Sequence, residues 1–258
     1  MLSTERNGAK LNKNTEAKIS VIIVTYNAAE TLQNCLDSIY SQRYQAIEII
    51  VIDGKSTDGT VKILEENTNH IYYWKSEEDE GIYDAMNKAL KHVTGDWVYF
   101  LGADDRLLSG FSELAAKLMP GNTVYYGYSK EFYHPHNKPS FQILTGEFSK
   151  YRLAKYCLNH QAIIYPASAF MNNNYDLKYK VLADYAFNIR LWGDNSFKKI
   201  YYPIPIVSYN MNGFSSATED LPFKKDKALI IRQSMGWIMY MRFLVKKYRK
   251  KLLGETDF

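Results

Sequence analysis

Four short apolar runs, each followed by a stretch of helical spacing, leave the first half of this 258-residue chain few folds to choose from. ISVIIVTYN (19–27), IEIIVIDG (47–54), HIYYW (70–74) and DWVYFLG (96–102) are rich in β-branched and aromatic residues. The first is a continuous run of the kind expected for a strand covered on both faces. Between them, Leu32, Cys35, Leu36, Ile39 and Tyr40 recur at helical spacing, as do Ile82, Ala85, Met86, Ala89, Leu90 and Val93, and DGTVKILEEN (58–67) supplies a third helix. Of these, Ile82, Met86 and Leu90 are expected to pack into the core. The βαβαβαβ order predicts an α/β protein with a doubly wound, mainly parallel sheet. In such sheets ligands sit beyond the carboxyl ends of the strands. Thr25, Tyr26 and Asn27, then Asp53, then Asp104 and Asp105 all fall at or just past strand ends, so three strands converge on one cleft.

The second half is less regular. HQAIIYP (160–166) reads as a strand, YKVLADYAFNIRLWG (179–193) as a helix closed by Gly193, and FKKIYYPIPIVSYNM (197–211) as a strand or edge segment with two prolines. The segment TVYYGYSKEFYHPHNKPSFQI reads as one or two strands with a turn around Pro135 to Pro139, and YYGYSKEFYHPH within it is read either as a ligand-side or hinge segment or as an ordinary strand pair and loop. From Pro222 to Leu253 a helical pattern, as one helix or two, ends the chain. Lys plus Arg exceeds Asp plus Glu by only 32 to 28, which argues against nucleic acid as a partner. The excess is concentrated in Lys246, Lys247, Arg249, Lys250 and Lys251. WIMYMRFLVKKYRKKLL (237–253) is therefore read either as a peripheral contact with an anionic membrane or as a core-packed helix with a solvated basic tail. Cys35 and Cys157 are distant in sequence and lack metal-ligand spacing, which favours two free thiols in a reducing compartment. The polar opening lacks the apolar core of a signal peptide and is read as a loose leader, and no run reaches 18 apolar residues.

The adjacent acids Asp104 and Asp105 have two readings. They either cap and charge the next helix, or hold a hard divalent cation whose coordination a bound diphosphate completes. In VIDGKSTDGT (51–60), Thr57 or Asp58 serves as a helix cap, whereas Asp53, at the strand end, is placed to accept from a base imide or a ribose hydroxyl. Gly81, Tyr83, Asp84 and Asn87 lie at the start of a helix whose amides can face the cleft. Neither GxGxxG nor GxxxxGK[ST] occurs.

SVIIVTYNAAETLQNCLDSI, EIIVIDGKSTDGT, EEDEGIYDAMNKAL, GDWVYFLGADD and ADYAFNIRL, in that order, resemble the inverting glycosyltransferases of family 2 with the GT-A fold. The resemblance is strongest over residues 18–109, extends weakly to about 210, and is nearest to members that build bacterial surface polysaccharides. It implies transfer of a sugar from a nucleotide sugar, with UDP favoured, to a hydroxyl of a glycan or lipid-linked saccharide. It also implies Mn²⁺ or Mg²⁺ at Asp104 and Asp105, with Asp105 the first-choice ligand. Ala103 stands where a further acid of that motif often lies. By the same resemblance Thr25, Tyr26 and Asn27 meet the nucleotide, Asp53 reads the base and Asp58 follows in the same turn. Gly81, Tyr83, Asp84 and Asn87 line the nucleotide and donor-sugar side. Asp184 is the general base, with Asp79 and Asp84 in reserve, and His160 lies near the diphosphate or acceptor. The chain then divides into a leader (1–17), a catalytic unit (18–221, with a nucleotide half to 109 and an acceptor half from 110) and a basic helical extension (222–258). A cytoplasmic enzyme at the inner face of the plasma membrane is the matching location. The competing readings are a sugar-phosphate nucleotidyltransferase, disfavoured by the missing Gly- and Arg-rich amino-terminal signature, and a nonenzymatic nucleotide- or carbohydrate-binding module.

Overall fold

The computed structural model describes residues 16–132, 144–210 and 219–252. Most of the expected leader and the turn around Pro135 to Pro139 lie outside these residues. The first half follows the predicted alternation: β1 (Ile19–Thr25), α1 (Leu32–Tyr40), β2 (Ile47–Asp53), α2 (Thr60–Glu66), β3 (Tyr73–Ser76), α3 (Ile82–Leu90) and β4 (Trp97–Gly102). β3 starts three residues later than the sequence suggests, because the amides of His70 and Ile71 are still bonded to Asn67 O in the turn that ends α2. The second half contains β5 (Arg106–Leu107), α4 (Ser109–Ala115), β6 (Thr123–Phe132), α5 (Lys150–Lys155), β7 (Ile163–Pro166), α6 (Ala183–Gly193), β8 (Lys198–Asn210), α7 (Leu221–Met235) and α8 (Trp237–Leu252).

Among the described residues, eight strands form one sheet in the order β3-β2-β1-β4-β7-β6-β8-β5. β1 runs parallel to β2 and β4, and β2 to β3, while β7 is antiparallel to both β4 and β6. β6 and β8 are parallel, and two-residue β5 pairs antiparallel with β8. The register of β6 against β8 shifts around Tyr128, opposite Pro205, so the ladder breaks where the prolines cannot donate to it. Each face of the sheet carries a core. One packs β1, β2 and β4 against α1, α2 and α4 through residues such as Ile23, Leu36, Leu64 and Phe111, and the other is closed by α3, α5, α6 and α7.

The face buried by α3 differs from the expectation: Tyr83, Ala85, Met86 and Ala89 are buried, Leu90 is partly so, and Ile82 is 43% exposed. The tyrosine takes the isoleucine's place because its ring reaches Tyr175 and its hydroxyl finds acceptors across the core. α6 is buried on nearly every side, as expected of a helix lodged between layers. Its last residue, Gly193, packs against the backbone of α7, where an added Cβ would lie 2.1 Å from Ser234 O. The carboxyl-terminal helical pattern is two helices divided at Gly236, whose φ is 85°. Phe223, Ile230 and Ile231 of α7 are buried in the same core as Tyr179 and Tyr185, so this part of the extension is joined to the main body.

One carboxylate fixes that junction. Asp220 accepts from the amides of Val181 and Leu182 through Oδ2, at 2.9 and 3.0 Å, and from that of Phe223 through Oδ1, at 3.1 Å, capping α7. It thereby sets the turn that leads into α6. Asp220→Ala leaves three amides without their acceptor and is expected to cost about 2–3 kcal/mol in urea unfolding, with Asp220→Asn recovering part of it. A loss below about 0.5 kcal/mol would contradict the junction's role.

Candidate active site

A cavity of about 1020 Å³ opens beyond the carboxyl ends of β1 and β4. Antiparallel β7 explains why a loop from the second half enters it. A strand running against β4 begins where β4 ends, so Asn159, His160 and Gln161, just before β7, arrive at the cleft. The start of α6 and one side of α7 and α8 complete the wall.

At the β1 end, Thr25, Tyr26 and Asn27 line the cavity. The Thr25 hydroxyl is buried without a hydrogen-bond partner among the described residues, and Tyr26 is 68% exposed. Asn27 adopts a left-handed φ of 49° and ties its loop to the next one, its Oδ1 accepting from Thr57 N at 2.9 Å and its amide donating to Ser56 Oγ at 2.7 Å.

Asp53 does not join them. Its buried carboxylate curls under its own loop and accepts from Ser56 N, Ser56 Oγ and Ser76 Oγ at 2.5–2.9 Å, outside the cavity lining. Asp58 is also outside, accepting from Ala29 N and from the amide and hydroxyl of Thr60, the first residue of α2; the N-cap position itself is Gly59, without a side-chain cap bond. These bonds hold its carboxyl below the usual range, that from the Thr60 hydroxyl foremost. The side chains of Asp79 and Tyr26 both border this loop at Gly54. A Cβ added at Gly54 would lie 2.6 Å from Asp79 Oδ2 and 3.5 Å from the Tyr26 ring.

At the β4 end, Asp104 and Asp105 both face Gly102, where a Cβ would meet Asp105 Oδ2 at 2.3 Å and Asp104 Oδ1 at 3.1 Å. The missing side chain at Gly102 leaves the room into which the two carboxylates fold back, and a Cβ there would require them to shift. Asp105 is almost wholly buried; its Oδ1 accepts from Asn210 N and its Oδ2 from Gln161 Nε2, each at 2.6 Å. Gln161 is locked in turn by Gly102 N donating to its Oε1 at 3.1 Å. Asp104 is partly open to the cavity and accepts from Asn210 Nδ2 at 3.0 Å through Oδ2. Burial, then the neighbouring Asp104 charge, pushes the Asp105 carboxyl up to about 8, and burial raises Asp104 as well.

Buried hard-oxygen donors with raised pKa values fit a divalent cation, which would offset the repulsion that now favours a proton. Among the described residues no group of three or more His, Cys, Asp or Glu side chains could hold a metal, so a cation at the pair would need further oxygen ligands such as a bound oxyanion, water or nearby carbonyl groups. Each carboxylate oxygen has a second acceptor direction, leaving both acids competent. Asp104 has the more open carboxylate, and both acids line the cavity.

Asp184 also lines the cavity, in the first turn of α6, 6% exposed. Its Oδ1 accepts from Tyr83 Oη at 2.7 Å, a hydroxyl that also lies 2.6 Å from Val181 O, and its Oδ2 lies 3.0 Å from His160 Nδ1. Thus Asp184, His160 and Tyr83, chosen separately from sequence, form one hydrogen-bonded cluster on the cavity.

The remaining candidates fall elsewhere. Asn87 exchanges both amide bonds with the Tyr175 backbone, Asp84 accepts from Glu80 N and pairs with Lys88, and Gly81 N donates to Asp79. All three lie beside the cavity rather than on it, because the first turn of α3 directs only Ile82 and Tyr83 inward. Gln161 and Asn210 are site residues that sequence reasoning passed over. Their signal was positional: each is a polar residue flanking an apolar run that becomes a strand.

The chain matches the family model "Glycosyl transferase family 2" over residues 20–179. It is 35% identical over 242 residues to a PGL/p-HBAD biosynthesis glycosyltransferase of Mycobacterium tuberculosis, covering 90% of this chain and 91% of that protein. An uncharacterized glycosyltransferase of the same species is 32% identical over 179 residues, 67% of this chain and 68% of the relative. Among solved structures, S. aureus TarS 1-349 in complex with UDP-GlcNAc superposes with a TM-score of 0.68 at 18% identity, covering 88% of this chain and 71% of that one. The mannosyltransferase PcManGT from Pyrobaculum calidifontis, in complex with GDP-Man and Mn²⁺, gives 0.57 at 16% identity, covering 92% and 76%. At these identities the structural likeness speaks for the fold.

The raised Asp105 pKa has a measurable consequence. Between the usual 3.8 and about 8 the folded state holds a proton that the unfolded state has lost. That contribution to stability is therefore full below the lower value and is lost as pH rises through the upper one. In the metal-free chain, Asp105 is expected to lower the melting temperature as pH is raised between these values, a slope that Asp105→Asn reduces. Mn²⁺ is expected to raise the melting temperature more near the upper value than near the lower, since it takes the proton's place. An Asp105→Asn slope as steep as the parent's, or a Mn²⁺ effect larger at the acid end, would contradict this electrostatic reading.

Proposed function

The chain belongs to glycosyl transferase family 2 and has the GT-A fold. On that premise we propose that it transfers a sugar from a nucleotide sugar, UDP-linked in the first instance, to a hydroxyl of a glycan or lipid-linked saccharide, inverting the anomeric centre. The observation that carries this reading is a single cavity with a buried carboxylate pair at one end and the Asp184–His160–Tyr83 cluster at another wall. Family membership sets aside the nucleotidyltransferase and binding-module alternatives.

In this reading residues 18–109 form the donor half and residues 110–221 the acceptor half. Tyr26 covers the base and the unpartnered Thr25 hydroxyl bonds to the nucleotide, a role that would satisfy a buried polar group. Base reading passes from Asp53, which is committed to Ser56 and Ser76, to Asp79 beside Tyr26. Asp104 and Asp105 would hold Mn²⁺ or Mg²⁺, which when bound supplies neutralisation of the departing diphosphate; the Mn²⁺ in the PcManGT complex supports that assignment. Asp184 takes the proton of the acceptor hydroxyl as its oxygen attacks C1 from the face opposite the leaving group. Tyr83 and His160 each engage one oxygen of that carboxylate, fixing its plane and leaving a second lone-pair direction on each.

Asp184→Asn preserves shape but removes the proton acceptor. It is expected to lower transfer by about 10²- to 10⁴-fold while nucleotide-sugar affinity and ligand-free melting stay near the parent's. Transfer within threefold of the parent would remove Asp184 from the chemistry. NMR of the product should show the anomer opposite to that of the donor, and retention would reject the inverting mechanism.

For location, no helix among the described residues is long and apolar enough to cross a membrane. α8 packs inward through Met239 and Phe243, whereas Trp237, Ile238, Met241, Val245, Tyr248 and Leu252 are exposed at helical spacing. From Lys227 to Gly254 the sequence has eight Lys or Arg and no acid. An exposed apolar stripe on a uniformly basic helix suits an anionic bilayer, which supports peripheral contact. Flotation with phosphatidylglycerol vesicles is expected to recover the chain, and Ile238→Glu/Val245→Glu to abolish recovery without lowering the melting temperature. Equal recovery of the variant would exclude α8 as the contact.

A further inference from the structure

The wall of the cavity beside Asp184 has a composition that a neutral sugar does not call for. Lys155 at the end of α5, Lys227 in α7 and Lys246 in α8 reach it from three helices. Their ammonium groups lie among aromatic rings. Lys155 Nζ is 4.2 Å from the Tyr151 centroid and 5.2 Å from that of Tyr156, and Lys246 Nζ is 5.2 Å from Tyr156 and donates to its hydroxyl at 3.3 Å. Lys227 Nζ is 4.7 Å from the ring of Tyr185, the residue after Asp184. Lys155 and Lys246 thus share one aromatic ring. Burial and then the Lys246 charge lower the Lys155 pKa.

For Lys155 and Lys246, nearby acids do not relieve this crowding. Asp226 is bonded to Lys178 and Tyr179, and Glu219 to Lys224, while no carboxylate of the described residues lies within ion-pair distance of Lys155 or Lys246. Cation–π contacts offset part of the cost of gathering like charges, and an anion would offset the rest. Around the lysines the same wall is apolar, with Leu144, Leu182, Phe223, Ala228 and Phe243. A ligand that fits both features is an amphiphile with its negative charge next to an apolar chain.

We propose that this wall is an acceptor subsite in which Lys155, Lys227 and Lys246 bind the phosphate or diphosphate of a lipid-linked acceptor. The inference rests on Asp184 as the base and deepens it: the anion is gripped beside the attacking hydroxyl, on the acceptor side of the cleft rather than at Asp104 and Asp105. It names the acceptor class as a saccharide joined to its lipid through phosphate.

The test is direct binding to the full chain, with farnesyl diphosphate as the probe and saturating UDP and Mn²⁺ present to fill the donor site. Dodecyl maltoside serves as the neutral amphiphile and inorganic pyrophosphate as the anion without a chain. Farnesyl diphosphate should bind at least tenfold more tightly than either. Lys155→Gln/Lys246→Gln, which keeps most of each stem, should weaken farnesyl diphosphate binding at least tenfold while UDP affinity stays within twofold. Unchanged probe affinity in the variant, or dodecyl maltoside binding as well as the probe, would overturn the subsite. A parallel loss of UDP affinity would overturn it by assigning the lysines to the donor diphosphate. Loss of binding to phosphatidylglycerol vesicles without loss of farnesyl diphosphate binding would overturn it in favour of a membrane-surface role. Asp184→Asn should bind the probe like the parent, so a failed transfer assay and a failed subsite are told apart.

Discussion

Two carboxylates on consecutive residues, folded back over Gly102 at the end of β4, are the constraint on which the rest of this structure depends. Consecutive side chains at a strand end ordinarily diverge, and like charges oppose their meeting. Here the bare backbone of Gly102 provides the room, and two arms from the second half hold the pair in place: Gln161 at the entry to β7, and Asn210 at the end of β8. The parallel half of the sheet cannot supply either arm. The antiparallel insertion of β7 next to β4 brings the carboxyl end of one strand level with the amino end of the next. Burial then leaves Asp105 with a pKa near neutrality, and so with a charge that a cation can draw out.

Asp184, the proposed base, is tied to the same frame by contacts from the first half of the chain. Tyr83 lies on α3, in the first half of the chain, yet its hydroxyl sits between Asp184 and Val181 in the second. Four residues on, Asn87 clasps the backbone of Tyr175 with both ends of its amide. α3 is therefore the element through which the two halves hold their spacing. Asp220 adds a third tie by binding the turn just before α6. At the far end of the sheet the buried carboxylate of Glu48 accepts from Ser20, Thr94, Gly95 and Lys18, leaving little for a ligand to do. At the carboxyl ends of the strands, by contrast, the buried Thr25 hydroxyl has no partner among the described residues, as is also true of Tyr175 Oη and Asn188 Nδ2 deeper in the core.

Thr25, Tyr26, Asp104 and Asp105 were legible because each ends a recognisable strand of a parallel sheet, where position alone dictates convergence. Asp184 and His160 were named by resemblance, but their direct bond depends on a tertiary contact that no local pattern encodes. Asp53 shows that a strand-end acid has two ways to turn: here three hydroxyl and amide donors from Ser56 and Ser76 hold it beneath its own loop, a contact that the strand pattern does not encode. Asn87 and Asp84 lie beside the cavity, since the register of α3 sends Tyr83 to its wall and turns these neighbours to structural partners, which helical spacing alone does not reveal. Gln161 and Asn210 were invisible to a reading by side-chain chemistry, because neutral amides carry no catalytic signal until a buried acid is found beside them. Gly102 was similarly silent: its necessity appears only when both carboxylates are seen over its Cα.

The central claim is that Asp104 and Asp105 meet a divalent cation together with the diphosphate of a bound nucleotide. Anomalous scattering from a crystal of the chain grown with UDP and Mn²⁺ tests it without recourse to activity. The account predicts one strong Mn²⁺ peak within about 2–2.5 Å of an Asp104 or Asp105 oxygen and of a diphosphate oxygen, with the base at Tyr26. UDP bound in the cleft with no Mn²⁺ at the acid pair, or Mn²⁺ bound to acids elsewhere, would contradict it.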